Sequence, residues 1–218
     1  MASVTNGVLS VLLAPTCAAC NAILETPLDG CVCRNCWEAI PPVADAALAE
    51  DSPLSGLIAV GSYDGTLRDV IHALKYQARR SIAGRLAMLM RMRASHVLAD
   101  ADCVVPVPLH WRRAYSRGFN QALEIARELG PPVLDALVRI RSTAPQVELS
   151  AEARHANVKG AFAVRRASPL RAAPPLQGRR IVLIDDVATT GATLEACARV
   201  LKAAGAPVVW GLTAARTL

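Results

Sequence analysis

Short apolar runs alternate with stretches of helical periodicity along most of the 218-residue chain. Leu57–Tyr63 is an apolar run of strand length, and Asp64 stands where it would cap a helix over Thr66–Gln77. Helical spacing resumes over Ile82–Val97, with arginines placed around an apolar stripe. Cys103–Pro108 (CVVPVP) reads as a strand closed by prolines, and Phe119–Leu129 as an amphipathic helix stopped by Gly130 and Pro131. Ala161–Val164 and Arg180–Asp185 (RIVLID) are further strands. Thr193–Ala204 is a helix ended by Gly205, and Val208–Thr213 is the last strand. Strands separated by helix-length segments predict right-handed crossovers and a parallel sheet flanked by helices, an α/β fold. The polar stretch 141–160 reads as a mobile loop, and Val8–Ala14 as a short amphipathic helix.

Composition supports that pattern. Hydrophobic residues make up 53% of the chain and aromatics only 4%, which suits helices on a buried parallel sheet better than an aromatic-rich sandwich. No apolar run approaches the roughly 18 residues of a membrane span. Val8–Ala14 has no preceding positive charge, so a secretory signal is not expected, no membrane insertion is expected, and a cytoplasmic location is the default. Charge changes the picture more. Residues 1–60 hold one basic and six acidic residues, whereas the rest holds 23 basic and 12 acidic, for a net +6 overall. A basic main body favours polyanionic partners, phosphates or nucleic acid.

Five of the seven cysteines fall between Cys17 and Cys36. An odd, clustered set is a poor disulfide framework and a good metal site. Cys17-x2-Cys20 and Cys33-x2-Cys36 supply four thiolates for a tetrahedral, structural Zn2+. A single CxxC also fits thiol redox chemistry, but two pairs at ribbon spacing favour metal. Cys31, two positions before Cys33, is a fifth candidate ligand; Cys103 and Cys197 read as buried, inert thiols. The expected organisation is an N-terminal helix and zinc-ribbon module over 1–45 and a main domain over 46–218. Residues 41–55, which include Pro41, Pro42, Pro53, Asp45, Glu50 and Asp51, read as a linker.

The strongest chemical signal is Val182–Leu194, VLIDDVATTGATL. An apolar strand runs into two carboxylates, a small-residue turn and a helix. Such a turn lets backbone N–H groups converge on an anion at the positive end of the helix dipole. The hydroxyls of Thr189, Thr190 and Thr193 add donors, and ionised Asp185 and Asp186 suit the hydroxyls of a vicinal diol. Upstream, LHWRRAYSRGFNQA follows the VVPVP strand. Arg112, Arg113 and Arg117 offer bidentate donors for a diphosphate, and Gly118 permits close backbone approach. Trp111, Tyr115 and Phe119 interleave with those arginines, which also fits single-stranded DNA stacked over a basic groove; the plain alternative is aromatics packed under a solvated loop.

The segment 182–194 resembles the binding motif for 5-phosphoribosyl-1-pyrophosphate (PRPP) of type I phosphoribosyltransferases. The resemblance implies that Asp185 and Asp186 hold the ribose hydroxyls and that Ala188, Thr189, Thr190, Gly191, Ala192 and Thr193 wrap the 5′-phosphate. It also implies Mg2+ accompanying PRPP, and places Arg112, Arg113, Arg117 and Gly118 at the pyrophosphate. Arg154, Asn157 and Lys159 lie where that fold has a flexible lid, so Asp185, Asp186 and Arg154 are the candidate catalytic residues.

Taken together the chain resembles the ComF family, on the paired CxxC knuckles, YDG with LKYQ (Tyr63–Gln77), PVPLH with RGFNQA (Pro106–Ala122), RHANVKGAF (Arg154–Phe162) and the 182–194 loop. That family includes competence proteins linked to DNA uptake, and the resemblance implies a type I phosphoribosyltransferase-like sheet behind a small zinc ribbon. Transfer of phosphoribosyl to an unnamed acceptor is one implied function. A non-catalytic nucleotide sensor or single-stranded-DNA-binding accessory that docks a DNA-uptake helicase or other competence protein is the other. The last predicted strand leaves five residues, so any hood over an acceptor base has to come from roughly residues 1–100, which makes a standard purine or pyrimidine salvage role less attractive.

Overall fold

The computed structural model describes residues 15–77, 79–109, 118–141, 158–167 and 172–218. After a 3-10 turn at Pro27–Asp29 the elements are α1 (Arg34–Glu38), β1 (Gly56–Ser62), α2 (Gly65–Tyr76), α3 (Ser81–Arg93), α4 (Ser95–Ala99), β2 (Cys103–Pro106), α5 (Gln121–Arg127), β3 (Leu137–Arg139), β4 (Phe162–Val164), β5 (Arg180–Ala188), α6 (Ala192–Ala203) and β6 (Val208–Arg216). The expected parallel sheet is present, with strand order β1-β6-β5-β2 and every pairing parallel. Its strands are apolar on both faces because both faces are covered. One face carries Ile58, Val60, Val104, Val182, Ile184 and Leu212 against Val70, Ile71 and Leu74 of α2, Leu86 and Met90 of α3, and Ile125 of α5. The other carries Leu57, Val105, Ile181, Leu183 and Val209 against Leu194, Cys197 and Leu201 of α6 and Leu137 and Phe162 of the small ribbon.

Four local expectations change. The helix read over Ile82–Val97 breaks at buried Ala94 (φ −117°, ψ 26°), which turns α4 so that Val97 and Leu98 reach the core. β4 has an antiparallel partner, β3, in a three-residue match too short to register as a periodicity. Asp64 occupies the N-cap position of α2, but its carboxylate accepts from the Ser62 hydroxyl at 2.6 Å rather than from a helix N–H. β5 runs on to Ala188, with pairing to β6 at Asp185 and again at Val187 and Ala188, so both aspartates lie inside the strand.

The proline- and acid-rich segment 41–55 is laid along the β1 edge of the sheet. Pro42 bridges Gly61, Ala46 N–H donates to Leu57 O at 3.1 Å, and Ser55 N–H donates to Val209 O at 2.8 Å. Arg93 of α3 donates to Val43 O and to Asp45 at 3.0 and 2.7 Å, and Val43 and Leu54 are buried. Proline on an exposed strand edge also blocks further pairing. Among the described residues no helix is long and apolar enough to cross a membrane.

Candidate functional site

The cysteine module is built from two tight turns. Thr16 pairs with Ile23 across the first knuckle, where Cys17 N–H donates to Ala22 O at 2.8 Å. The second knuckle opens α1, and Ala18 N–H donates to Cys31 O at 2.7 Å, joining the two. The ligand atoms of Cys17, Cys20, Cys33 and Cys36 lie within 4.8 Å of one another. Cys17 Sγ is 3.8 Å from Cys36 Sγ, and Cys20 Sγ is 3.7 Å from Cys33 Sγ. A tetrahedron with metal–sulfur bonds of about 2.3 Å has edges of about 3.8 Å, so the four sulfurs fit a zinc-sized ion. Burial works to raise the Cys17 thiol, but backbone N–H groups of Cys33, Cys20 and Ala19 outweigh it and pull it down to about 6, favouring the thiolate a metal needs. Burial and the neighbouring sulfurs push Cys36 well up, a repulsion that a bound dication relieves. Cys31 stands apart, its Sγ 3.6 Å from the Ser81 hydroxyl on α3. The module is welded to the main body: Cys17, Leu24, Val32 and Cys36 belong to the same apolar cluster as α2 and α3.

The loop between β5 and α6 has the form the sequence suggested. Gly191 adopts a left-handed backbone (φ 77°) at the N-cap of α6, a conformation costly for any residue with a Cβ. The first-turn N–H groups of this twelve-residue helix therefore open onto the loop. Ala188, Thr189, Thr190 and Gly191 line a cavity of about 510 Å3. Its other walls are Ala46–Ala49, Asp51, Leu54 and Leu57 on one side and Glu195, Arg199, Arg216 and Thr217 on the other. Segment 41–55 thus supplies a wall of the cavity. Ala192 is buried behind the loop; neither it nor Thr193 is among the cavity-lining residues.

The aspartates do not line this cavity; they sit just before the loop. Neighbours in a paired strand project to opposite faces. On one side Asp186, 8% exposed, meets Lys75 of α2, with Nζ 3.0 Å from its Oδ1. On the other, half-buried Asp185 faces the field of Arg139 on β3 and accepts the Asp186 backbone N–H at 2.9 Å. Burial, then the Asp186 charge, push the Asp185 carboxyl up to about 7, against the opposing pull of Lys75 and Arg139. Its register partner on β6 is Thr213, whose hydroxyl is buried with no hydrogen-bond partner among the described residues.

Of the pyrophosphate group, Gly118 is described and has a left-handed backbone (φ 73°). It leads to Asn120, which caps α5 by accepting the Ala122 N–H at 3.1 Å and donates to Val107 O at 3.0 Å. Arg112, Arg113, Arg117 and Arg154, with Trp111, Tyr115, His155 and Asn157, lie outside the described residues, as do Val8–Ala14 and most of the expected lid. Sequence reasoning missed Lys75, Arg139, Arg199, Thr213 and Arg216. Lys75 left a signal: it occupies a position on the apolar stripe of α2 marked by Leu67, Val70, Ile71 and Leu74. Arg216 left none, because it falls beyond the apolar run that marks β6.

A sequence model of the phosphoribosyl transferase domain matches residues 115–212. The chain is 33% identical over 217 residues to DNA utilization protein YhgH of Escherichia coli, covering 93% of this chain and 90% of that protein. It is 30% identical over 213 residues to Competence protein F of Haemophilus influenzae, covering 92% and 85% respectively. To Competence protein ComFC of Bacillus subtilis it is 28% identical over 175 residues, covering 80% and 67%. With a parallel sheet flanked by helices, a phosphoribosyltransferase-type domain and four clustered N-terminal cysteines, the chain belongs to the ComF family.

Proposed function

We propose that this chain binds Mg2+-PRPP between Asp185 and Thr193 and transfers its phosphoribosyl group to an acceptor, in the service of DNA uptake or utilization. The observation that carries the reading is the left-handed Gly191 turn, which opens α6 onto a cavity with Thr189, Thr190, Arg199 and Arg216 in its walls. Thr189, Thr190, Arg199 and Arg216 offer hydroxyl and guanidinium donors in its walls, at the N-terminal end of α6, a set that suits a phosphate monoester. Asp185 is the freer carboxylate for the ribose hydroxyls, with Asp186 beside it. Arg112, Arg113, Arg117 and Gly118 take the pyrophosphate end, and Arg154 closes over it. Mg2+, bound through hard oxygen ligands, supplies charge neutralisation at the leaving group. In the transfer the bond from C1 to pyrophosphate breaks, a bond from C1 to the acceptor forms, and the acceptor's proton passes to a base. The cysteine tetrad holds a structural Zn2+, since four protein ligands leave no open position for water.

The test is calorimetry of PRPP with and without Mg2+, followed by a pyrophosphate-release screen over candidate acceptors. Saturable binding that Asp185→Asn with Asp186→Asn abolishes is expected; no binding by the wild-type protein sinks the reading. Relatives named for DNA utilization and competence favour a second reading. In it the site senses PRPP without turnover while the protein engages single-stranded DNA or a helicase partner. PRPP binding without pyrophosphate release for any acceptor points to that reading.

A further inference from the structure

Lys75 has no part in the phosphate chemistry above, yet it is among the more costly residues in the fold. It lies near the end of α2, where its neighbours Ile71, Ala73 and Leu74 are buried. Its side chain is only 14% exposed and that of its partner Asp186 only 11%. A buried ion pair is commonly no more stabilising than apolar side chains of the same volume, so stability alone does not account for a charge here. The pair is also aimed at a place of chemical interest. Asp186 adjoins Asp185, and both are withdrawn from water. The charge of Asp186 adds to burial in raising the cost of ionising Asp185. A protonated carboxyl has lost part of its acceptor capacity, and acceptors are what ribose hydroxyls need.

Among the described residues, the groups facing the aspartates are few. On the Asp186 side they are Lys75 and, beneath its ammonium at 5.8 Å from the ring centroid, Tyr63. On the Asp185 side they are Arg139 and the thiol of Cys197, with the buried Thr213 hydroxyl on the adjacent strand. Among the described residues Lys75 is the cation in ion-pair contact with the aspartates.

We infer that Lys75 is a positioning residue for the ligand site: its ammonium, 3.0 Å from Asp186 Oδ1, holds Asp186 and offsets part of the penalty for charging Asp185 beside it, leaving Asp185 to accept from the diol. The identity of the ligand rests on the phosphoribosyl reading; the electrostatic role does not. Burial works against the Lys75 charge but Asp186 outweighs it, so the lysine stays protonated across the neutral range. Lys75 correspondingly pulls against the burial and the Asp186 charge that lift Asp185.

The experiment is a 13C carboxyl NMR titration of the unliganded, zinc-loaded protein, with Asp185→Asn and Asp186→Asn spectra assigning the signals. The upper step of the pair is expected near neutrality in the wild type. In Lys75→Met it moves up by about one unit or more, while Lys75→Arg stays within about half a unit of wild type. Should Lys75→Met fail to fold, Lys75→Gln makes the same comparison. An upper step unmoved in the neutral variant overturns the inference. A second arm follows Mg2+-PRPP affinity against pH. The acid limb of Lys75→Met moves upward by the same interval, so about fivefold or more in affinity is lost at pH 7 and recovered at higher pH. A loss equal at every pH marks a merely structural lysine and also overturns it. If the NMR step moves but the wild type binds no PRPP, the phosphoribosyl reading fails and the electrostatic assignment of Lys75 stands.

Discussion

Replacing Asp185 by Asn removes a titrating carboxyl while keeping its shape and an oxygen that can accept the Asp186 N–H, now bonded at 2.9 Å. Folding lifts this carboxyl from an ordinary 3.8 to about 7, through burial first and the Asp186 charge second. Between those values the native protein holds a proton that the unfolded chain has released. Stability therefore falls as pH rises through that window. Integrating the difference in bound protons between pH 5 and pH 8 gives about 2.5 kcal/mol, and partial exposure of the side chain brings this to about 1–2 kcal/mol. Urea denaturation followed by far-UV circular dichroism, at saturating zinc, measures it at both pH values. The Asn variant is expected to match wild type within about 1 kcal/mol at pH 5 and to gain about 1–2 kcal/mol on it at pH 8. Titrations shared by both proteins cancel in that difference. A gap between variant and wild type that is equal at the two pH values would refute the claim that burial and the Asp186 charge lift the Asp185 carboxyl toward neutrality. The same variant should bind PRPP more weakly, the usual exchange of function for stability at a strained site.

Two further outcomes follow from the geometry. Cys17→Ser should lower bound zinc from one per chain to none by elemental analysis. It should also lower the melting temperature of the whole protein in one transition, because Cys17 shares an apolar cluster with α2 and α3; two separate transitions would show a module that folds alone. Gly191→Val places a branched side chain at φ 77° and should cost about 1–2 kcal/mol in denaturant. It should also abolish phosphate-ligand binding by calorimetry with zinc content unchanged; retained binding would remove the loop from the site.

The alternation of apolar runs with helical stretches was legible because the strands of the four-stranded sheet are buried on both faces and the helices that cover it on one, so local hydrophobicity reports the layer. The cysteine tetrad was legible for a similar reason: a CxxC turn brings its own two sulfurs together, and only the meeting of two turns is left to the fold. The Asp185–Thr193 loop could be read because strand, turn and helix follow one another in the chain. Segment 41–55 misled, since proline and acidic residues suit a solvated linker and equally suit a capped sheet edge, and only contacts with β1 and Arg93 distinguish them.

By itself, then, the sequence determined the sheet-and-helix class, the four sulfurs that cluster and the turn that opens α6, all of them matters of neighbours along the chain. Tertiary structure decided that β5 stays paired past its aspartates, so that they part to opposite faces, and that Lys75 and Arg216 arrive from distant elements. Strand length depends on what the partner strand offers, and the state of a carboxylate depends on charges that only packing brings near.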